Sequence, residues 1–344
     1  MAEDPTYPLI PIINFFGFFL VLIPFSLNSL QKWNTGICMF AIYVSVMCLL
    51  VAIDAIVWSN NDNIFASVWC DIVSHFIMAS RLGIPACSLV ISRRLCKMIM
   101  RRSLMSDRQI KRKDLIVDLC ITVGFPAAYA GLYYIVQGVR FQVYGGLGCA
   151  AALFNSGLTI ILCAIWPIIF PAISILFYSP RILWAFYRQR KEVNEFLDSS
   201  QTTSRSDYFR VLILGCLDSI VMFPIGVYIL ISEVVDHSIP FWPGYTYVHS
   251  DWEAISVPES AWSSNISSAL QTRYDEVVYS ILAVTFFLLF GSTKQARANY
   301  QRTIYFVLRP LGVQPRSKGE DNIISAIDFG TSGQNPPGSI AGPT

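Results

Sequence analysis

Few side chains in this 344-residue chain can carry or exchange charge: 25 Lys and Arg, 23 Asp and Glu, and three His. Asp71 and His75 stand four apart, a spacing that puts them on one helical face. Such a face either meets a polar group of a ligand or closes on itself as a hydrogen-bonded pair. Arg81 falls within an apolar run from Ala66 to Ile91, where a charge is costly and requires a partner. The acids inside apolar runs are Asp54, Asp71, Asp118 and Asp218. At about 1.5 Å of rise per residue, Asp218 has the depth that matches Arg81. An Arg81–Asp218 pair is either a switch between two helices or a static tie. His75, His237 and His249 offer no three-ligand zinc set within a bundle. There is no Gly-rich phosphate loop and no nucleophile elbow. The last apolar run, Val277 to Phe290, lacks a lysine for a Schiff base. No enzyme activity, metal or cofactor is expected.

The elements that position these groups follow from composition. Hydrophobic residues make up 54% of the chain, charged residues only 14%, and the mean hydropathy is +0.50. A soluble domain of this size carries about 25% charge, so the chain belongs to the membrane class. Seven apolar runs can be drawn, at 8–30, 36–57, 66–92, 114–136, 155–178, 209–232 and 274–291. Each is close to the roughly 20 residues that cross a hydrocarbon core as a helix. Helices are required because no open sheet satisfies its backbone in lipid. The expected fold is an all-α integral membrane protein, a seven-helix bundle. The early acids Glu3 and Asp4 do not fit a cleavable signal peptide. Nine scattered cysteines fit neither a zinc site nor a disulfide framework.

Charge orients the spans. Of the 25 Lys and Arg, 22 fall in loops 31–35, 93–113 and 179–210 and in the tail from Ser292. The exceptions are Arg81, Arg140 and Arg273. Basic segments stay on the cytoplasmic side, which places the N-terminus outside and the C-terminus inside. The outer loops are then 58–65, 137–154 and 233–273, the last rich in aromatics and acids. Candidate ligand-binding residues on that side are Asp71, His75, Arg140, Glu233, Asp236, Trp242 and Asp251. Cys70 and Cys149 both face the oxidising side, either bridged or as two free buried cysteines. Asn265-Ile266-Ser267 is a glycosylation sequon. On the inner side, Arg93, Arg94, Arg101, Arg102, Lys111, Arg112, Arg188, Arg190, Lys191 and Arg210 form a cationic face. It suits an acidic protein surface or anionic membrane lipid; nucleic acid is not an expected partner. Residues 1–300 form the membrane domain. A short amphipathic helix is expected just after the seventh span, and the 301–344 tail is Gly-, Pro- and Ser-rich and disordered from 314.

Several motifs in order resemble the fungal mating receptors for lipidated a-factor-type pheromones, the class D G-protein-coupled receptors. They are Lys32-Trp33-Asn34-Thr35-Gly36, Trp69-Cys70-Asp71-Ile72, Gly83-Ile84-Pro85-Ala86 and Arg93-Arg94-Leu95. Further on come Val136-Gln137-Gly138 with Arg140-Phe141, Gly148-Cys149, Tyr208-Phe209-Arg210, and Phe286-Phe287 through Gly291 with Ala296 and Tyr300. Val139 stands where the family often has His, and Tyr144-Gly145-Gly146 where it often has an acid. The resemblance implies a farnesylated peptide ligand and a heterotrimeric G protein, and with them a place in the plasma membrane; a homodimer is a further candidate partner. The alternatives are a seven-span transporter or channel, or a receptor-like paralogue outside mating.

Overall fold

A computed structural model describes residues 7–27, 35–100, 108–188, 210, 212–216, 223–224, 226–228, 230–231, 234, 239–264, 266–292 and 296. All lie in the unit Met1–Arg297; the second unit, Ala298–Thr344, with the expected amphipathic helix and tail, is outside the described residues. The helices are α1 (Leu9–Leu27), α2 (Thr35–Val57), α3 (Ser67–Met100), α4 (Arg108–Leu119) and α5 (Phe125–Val136). A π turn, Cys120–Gly124, joins α4 to α5. The next stretch runs through α6 (Gly157–Thr159), α7 (Trp166–Ile173) and α8 (Ser179–Arg188), with π turns at Ile160–Ala164 and Ser174–Tyr178. After α9 (Tyr245–Val248) and α10 (Glu259–Ser263) comes α11 (Ile266–Phe286). Among the described residues, five helical segments are long and apolar enough to cross a membrane, and Leu9–Pro24 is a shorter apolar helix. The run 209–232 is described only in part. Its helical residues 212–216 place Leu214 in the core.

Three features depart from the sequence expectation. The fold is not purely helical: strands β1 (Gln142–Tyr144), β2 (Gly148–Ala150) and β3 (Ile255–Val257) form a sheet in the order β2-β1-β3. The helix expected to stop at 178 continues through α8. The last span begins as helix at Ile266 rather than near 274, so Asp275 and Glu276 lie well inside it.

In an apolar surrounding every backbone carbonyl needs a donor, and proline withholds one. Pro126 leaves the carbonyl of Thr122, four residues earlier, without its helical partner; the Tyr43 hydroxyl from α2 donates to it at 2.9 Å. Pro167 does the same to Cys163, whose carbonyl accepts from the Tyr129 hydroxyl at 2.7 Å. Tyr43 crosses Gly83 of α3 on its way. A Cβ there would lie 2.5 Å from the ring, so only glycine leaves it room. Buried Asn14 ties α1 to α11, donating to the Glu276 carbonyl at 2.9 Å and accepting from the Ser280 hydroxyl at 2.8 Å.

The sheet caps one end of the bundle, called here the sheet end; the Arg93–Lys97 end is the basic end. β1 and β2 pair antiparallel across a Gly145-Gly146 turn, and β1 and β3 pair parallel. The Cys70–Cys149 disulfide ties β2 to the start of α3. Asp54, buried near the end of α2, accepts from the Trp69 indole at 2.6 Å and from the Cys149 backbone N–H. Its side chain fills the space beside Gly148. That residue has φ +95° and no room for a Cβ, which would stand 2.5 Å from the Asp54 Cβ. The following loop is clasped to α5 by His249. Its ring nitrogens lie 3.0 Å from the carbonyl oxygens of Tyr245 and Tyr134, and its ring is stacked between those of Tyr245 and Trp252.

Gly83→Ala is expected to cost about 1–3 kcal/mol, the usual range for overpacking. Tyr43→Phe, which only removes a hydrogen bond, should cost about 1 kcal/mol. Thermal melting of the solubilised protein measures both. Cys149→Ser should lower stability by about 2–5 kcal/mol, and reductant should bring the native protein to the same melting temperature.

Candidate functional site

A cavity of about 710 Å³ opens beneath the sheet, within the roughly 300–1,000 Å³ of sites that enclose small ligands. Its roof is made of Gln142, Tyr144, Cys149 and Val257 from the strands and Trp262 from α10. Burial raises the pKa of the Tyr144 hydroxyl, which stays neutral and donates to Gln142 Oε1 at 3.0 Å. Deeper in, Arg81 Nη2 of α3 meets Asp275 Oδ2 of α11 at 3.0 Å. Both line the cavity, and their side chains keep 34% and 40% of their surface accessible. The pair therefore links two helices yet remains open to a third polar group.

Arg81 is thus partnered, as an intramembrane charge requires, by Asp275; Asp218, the partner expected from depth, lies outside the described residues. Asp275 escaped the sequence reading because the apolar run was counted from 274, which made it a rim residue. The signal was the helical stretch that runs from Ile266 into the apolar run.

None of the described candidate ligand residues lines the cavity. Asp71 and Arg140 come together instead. The guanidinium donates to both carboxylate oxygens, at 3.0 and 2.5 Å, and this hydrogen-bonded partner raises the pKa of Arg140. The pair fastens the 137–154 loop to α3 beside the disulfide. His75 contacts the Asp71 carbonyl oxygen at 2.8 Å, not its carboxylate, and packs edge-on against Tyr133. Trp242 packs on the cluster around Met78, Leu82 and Tyr133. Asp251 is exposed in a turn. Glu233, Asp236 and Asn265 lie outside the described residues. Cys70 and Cys149 are bridged.

At the basic end, part of the expected cationic face turns inward. Asp118 of α4 is fully buried and accepts from Arg93 at 2.5 Å and from Arg94. Arg94 also donates to Thr35 Oγ1 at 2.9 Å. Asp114 takes Lys97 at 2.5 Å and Arg93 at 3.5 Å. Arg93 and Arg94 therefore tie α3 to α4 and to the start of α2, and their charges are largely spent inside the molecule. The signal in the sequence was the spacing: two acids four apart opposite bases at the end of α3. Arg112 is exposed and Arg210 half-buried. Arg101, Arg102, Arg190 and Lys191, and the side chains of Lys111 and Arg188, lie outside the described set.

A family model described as STE3, pheromone A receptor, matches residues 9–309. The Pheromone B alpha 3 receptor of Schizophyllum commune is 33% identical over 314 residues, covering 91% of this chain and 50% of that protein. Pheromone receptor 1 of Mycosarcoma maydis is 26% identical over 337 residues, covering 93% and 90%. The Pheromone a factor receptor of Saccharomyces cerevisiae is 24% identical over 283 residues, covering 81% and 58%. The chain spans about half the length of the Schizophyllum relatives it matches. In three dimensions squid rhodopsin superposes with a TM-score of 0.51 at 16% identity, covering 98% of this chain and 87% of that one, a likeness of fold. With the family's pattern running through nearly all of its helical part, the chain belongs to the pheromone A receptor family.

Proposed function

We propose that the chain is a seven-span G-protein-coupled receptor for a farnesylated mating-pheromone peptide. In this reading it sits in the plasma membrane with the sheet end outside and the basic end in the cytoplasm. The observation that carries the reading is the roofed cavity with an accessible ion pair at depth, in a chain of this family. A receptor needs a site whose occupation changes how helices stand against each other, and Arg81–Asp275 joins α3 to α11 where an incoming polar group can reach it. A ligand group that competes for either partner favours the state in which the helices part. A hydrogen bond to a charged group contributes about 1.5–3 kcal/mol, so its exchange shifts the balance of states about tenfold to a hundredfold. The Asp71–Arg140 pair and the disulfide hold the roof while this happens.

A heterotrimeric G protein would meet the basic end. The residues to engage it are the others of the cationic set: Arg101, Arg102, Lys111, Arg112, Arg188, Arg190, Lys191 and Arg210. Arg93 and Arg94 serve to hold α2, α3 and α4 in register behind that surface.

The test is expression in a yeast that lacks its own pheromone receptor, with a panel of synthetic farnesylated peptides and a G-protein reporter. At least one peptide should give a saturable response that vanishes when the G-protein α subunit is deleted. Silence across the panel at confirmed surface expression contradicts the reading. In the same cells Asp275→Asn should raise the basal signal and shift the peptide response to lower concentration, since it loosens the pair in the absence of ligand. Basal signal and potency equal to wild type would remove the pair from the mechanism.

A further inference from the structure

The cavity lining is divided by charge. Every carboxylate and guanidinium lining it among the described residues belongs to α2, α3 or α11: Asp54, Arg81, Asp275 and Glu276. Among the described residues, the wall built from the fifth and sixth apolar runs carries none; Asp218 of the sixth run lies outside them. Beyond Asn155 and the Ser156–Thr159 hydroxyl pair, the wall presents Ile160, Cys163, Ala164, Pro167, Ile168, Gly226 and Leu230. The backbone of this wall is also silent at its weakest point. The π turn closes with the Ile165 N–H donating to the Ile160 carbonyl at 3.1 Å. The carbonyl that Pro167 frees at Cys163 is capped by the Tyr129 hydroxyl. Water gains little on such a surface, because a buried water needs two to four polar partners, whereas the charged wall is well suited to water or to a peptide. One occupant matches both walls: an amphiphile with a hydrocarbon chain on one side and polar groups on the other.

We propose that the wall formed by residues 160–168 with Gly226 and Leu230 holds the hydrocarbon chain of the lipidated peptide, and that the Arg81–Asp275 side takes its polar part. The assignment rests on the receptor reading above and adds to it the location of the lipid and the residues that select its length. Burial in such a pocket contributes about fourfold in affinity per methylene. Partition of the peptide into the membrane also rises with chain length, so potency against chain length does not by itself locate the chain. The ratio of potencies between two chains, compared between native and altered receptor, cancels the membrane contribution.

The experiment uses the full-length receptor in the receptor-less yeast and one peptide carrying either a farnesyl chain or a geranyl chain, one isoprene unit shorter. Ala164→Leu and Leu230→Phe add bulk to the wall. Each should lower the farnesyl-to-geranyl potency ratio at least about tenfold, the scale on which a crowded apolar pocket rejects extra methylenes. A ratio equal to wild type in both variants, at matched surface level, overturns the assignment. A second measurement needs no variant: a photoreactive diazirine at the end of the isoprenoid chain should label residues within 160–168 or 226–230 of the native receptor. Labelling confined to α1, α2 or α11 overturns it equally. If the native receptor responds to neither peptide at confirmed surface expression, the receptor reading itself fails and takes this assignment with it.

Discussion

One guanidinium and one carboxylate, 3.0 Å apart within a largely apolar bundle, constrain how α3 and α11 stand. A charge at that depth tolerates few arrangements. α11 is fixed on its other flank by Asn14, which bonds the Glu276 carbonyl and the Ser280 hydroxyl. It is therefore held between α1 and α3 by polar contacts, while apolar packing, such as Phe40 against Phe286, fills the space between. Apolar packing in lipid has little directional preference, so polar ties decide register. A pair that both fixes register and faces a cavity is the place where a ligand can act with least effort.

The two ends of the bundle use charge differently. At the sheet end, Asp71–Arg140, Asp54–Trp69 and the Cys70–Cys149 bridge converge on a short hairpin and hold it as a roof. At the basic end, Asp118 is buried beneath Arg93 and Arg94. Removing one member of such a buried group leaves the others uncompensated, at a cost of roughly 3–5 kcal/mol. The roof and the inner cluster are thus tied by several polar contacts each, and the Arg81–Asp275 layer between them is the pair that lines the cavity.

Much of this was legible from residue types alone. The apolar runs mark the helices because length and hydropathy are set by the bilayer. The basic block after residue 92 marks one end, and Cys70 and Cys149 pair as one of the two readings allowed. The hairpin was also written in the chain, as Val143-Tyr144 followed by Gly145-Gly146, but strands this short are hidden among helices by their length. Partners were less legible. Asp275, Asp114 and Asp118 all sit where an apolar run begins, and a span drawn by hydropathy treats its first turn as rim. Depth along one helix says nothing about rotation around it, so matching Arg81 to Asp218 by depth could not distinguish it from Asp275. Prolines were visible as kinks, but that Tyr43 and Tyr129 answer Pro126 and Pro167 depends on which helices are neighbours.

The coupling between Arg81 and Asp275 is the most direct measure of the account. Arg81→Met, Asp275→Leu and the double variant can be compared by thermal melting of the solubilised protein. If the pair sets the α3–α11 arrangement, each single variant leaves a charge without its partner and is strongly destabilised, while the double variant recovers most of the loss. Single effects that simply add in the double variant would show that the two side chains do not act on each other, and would contradict the account.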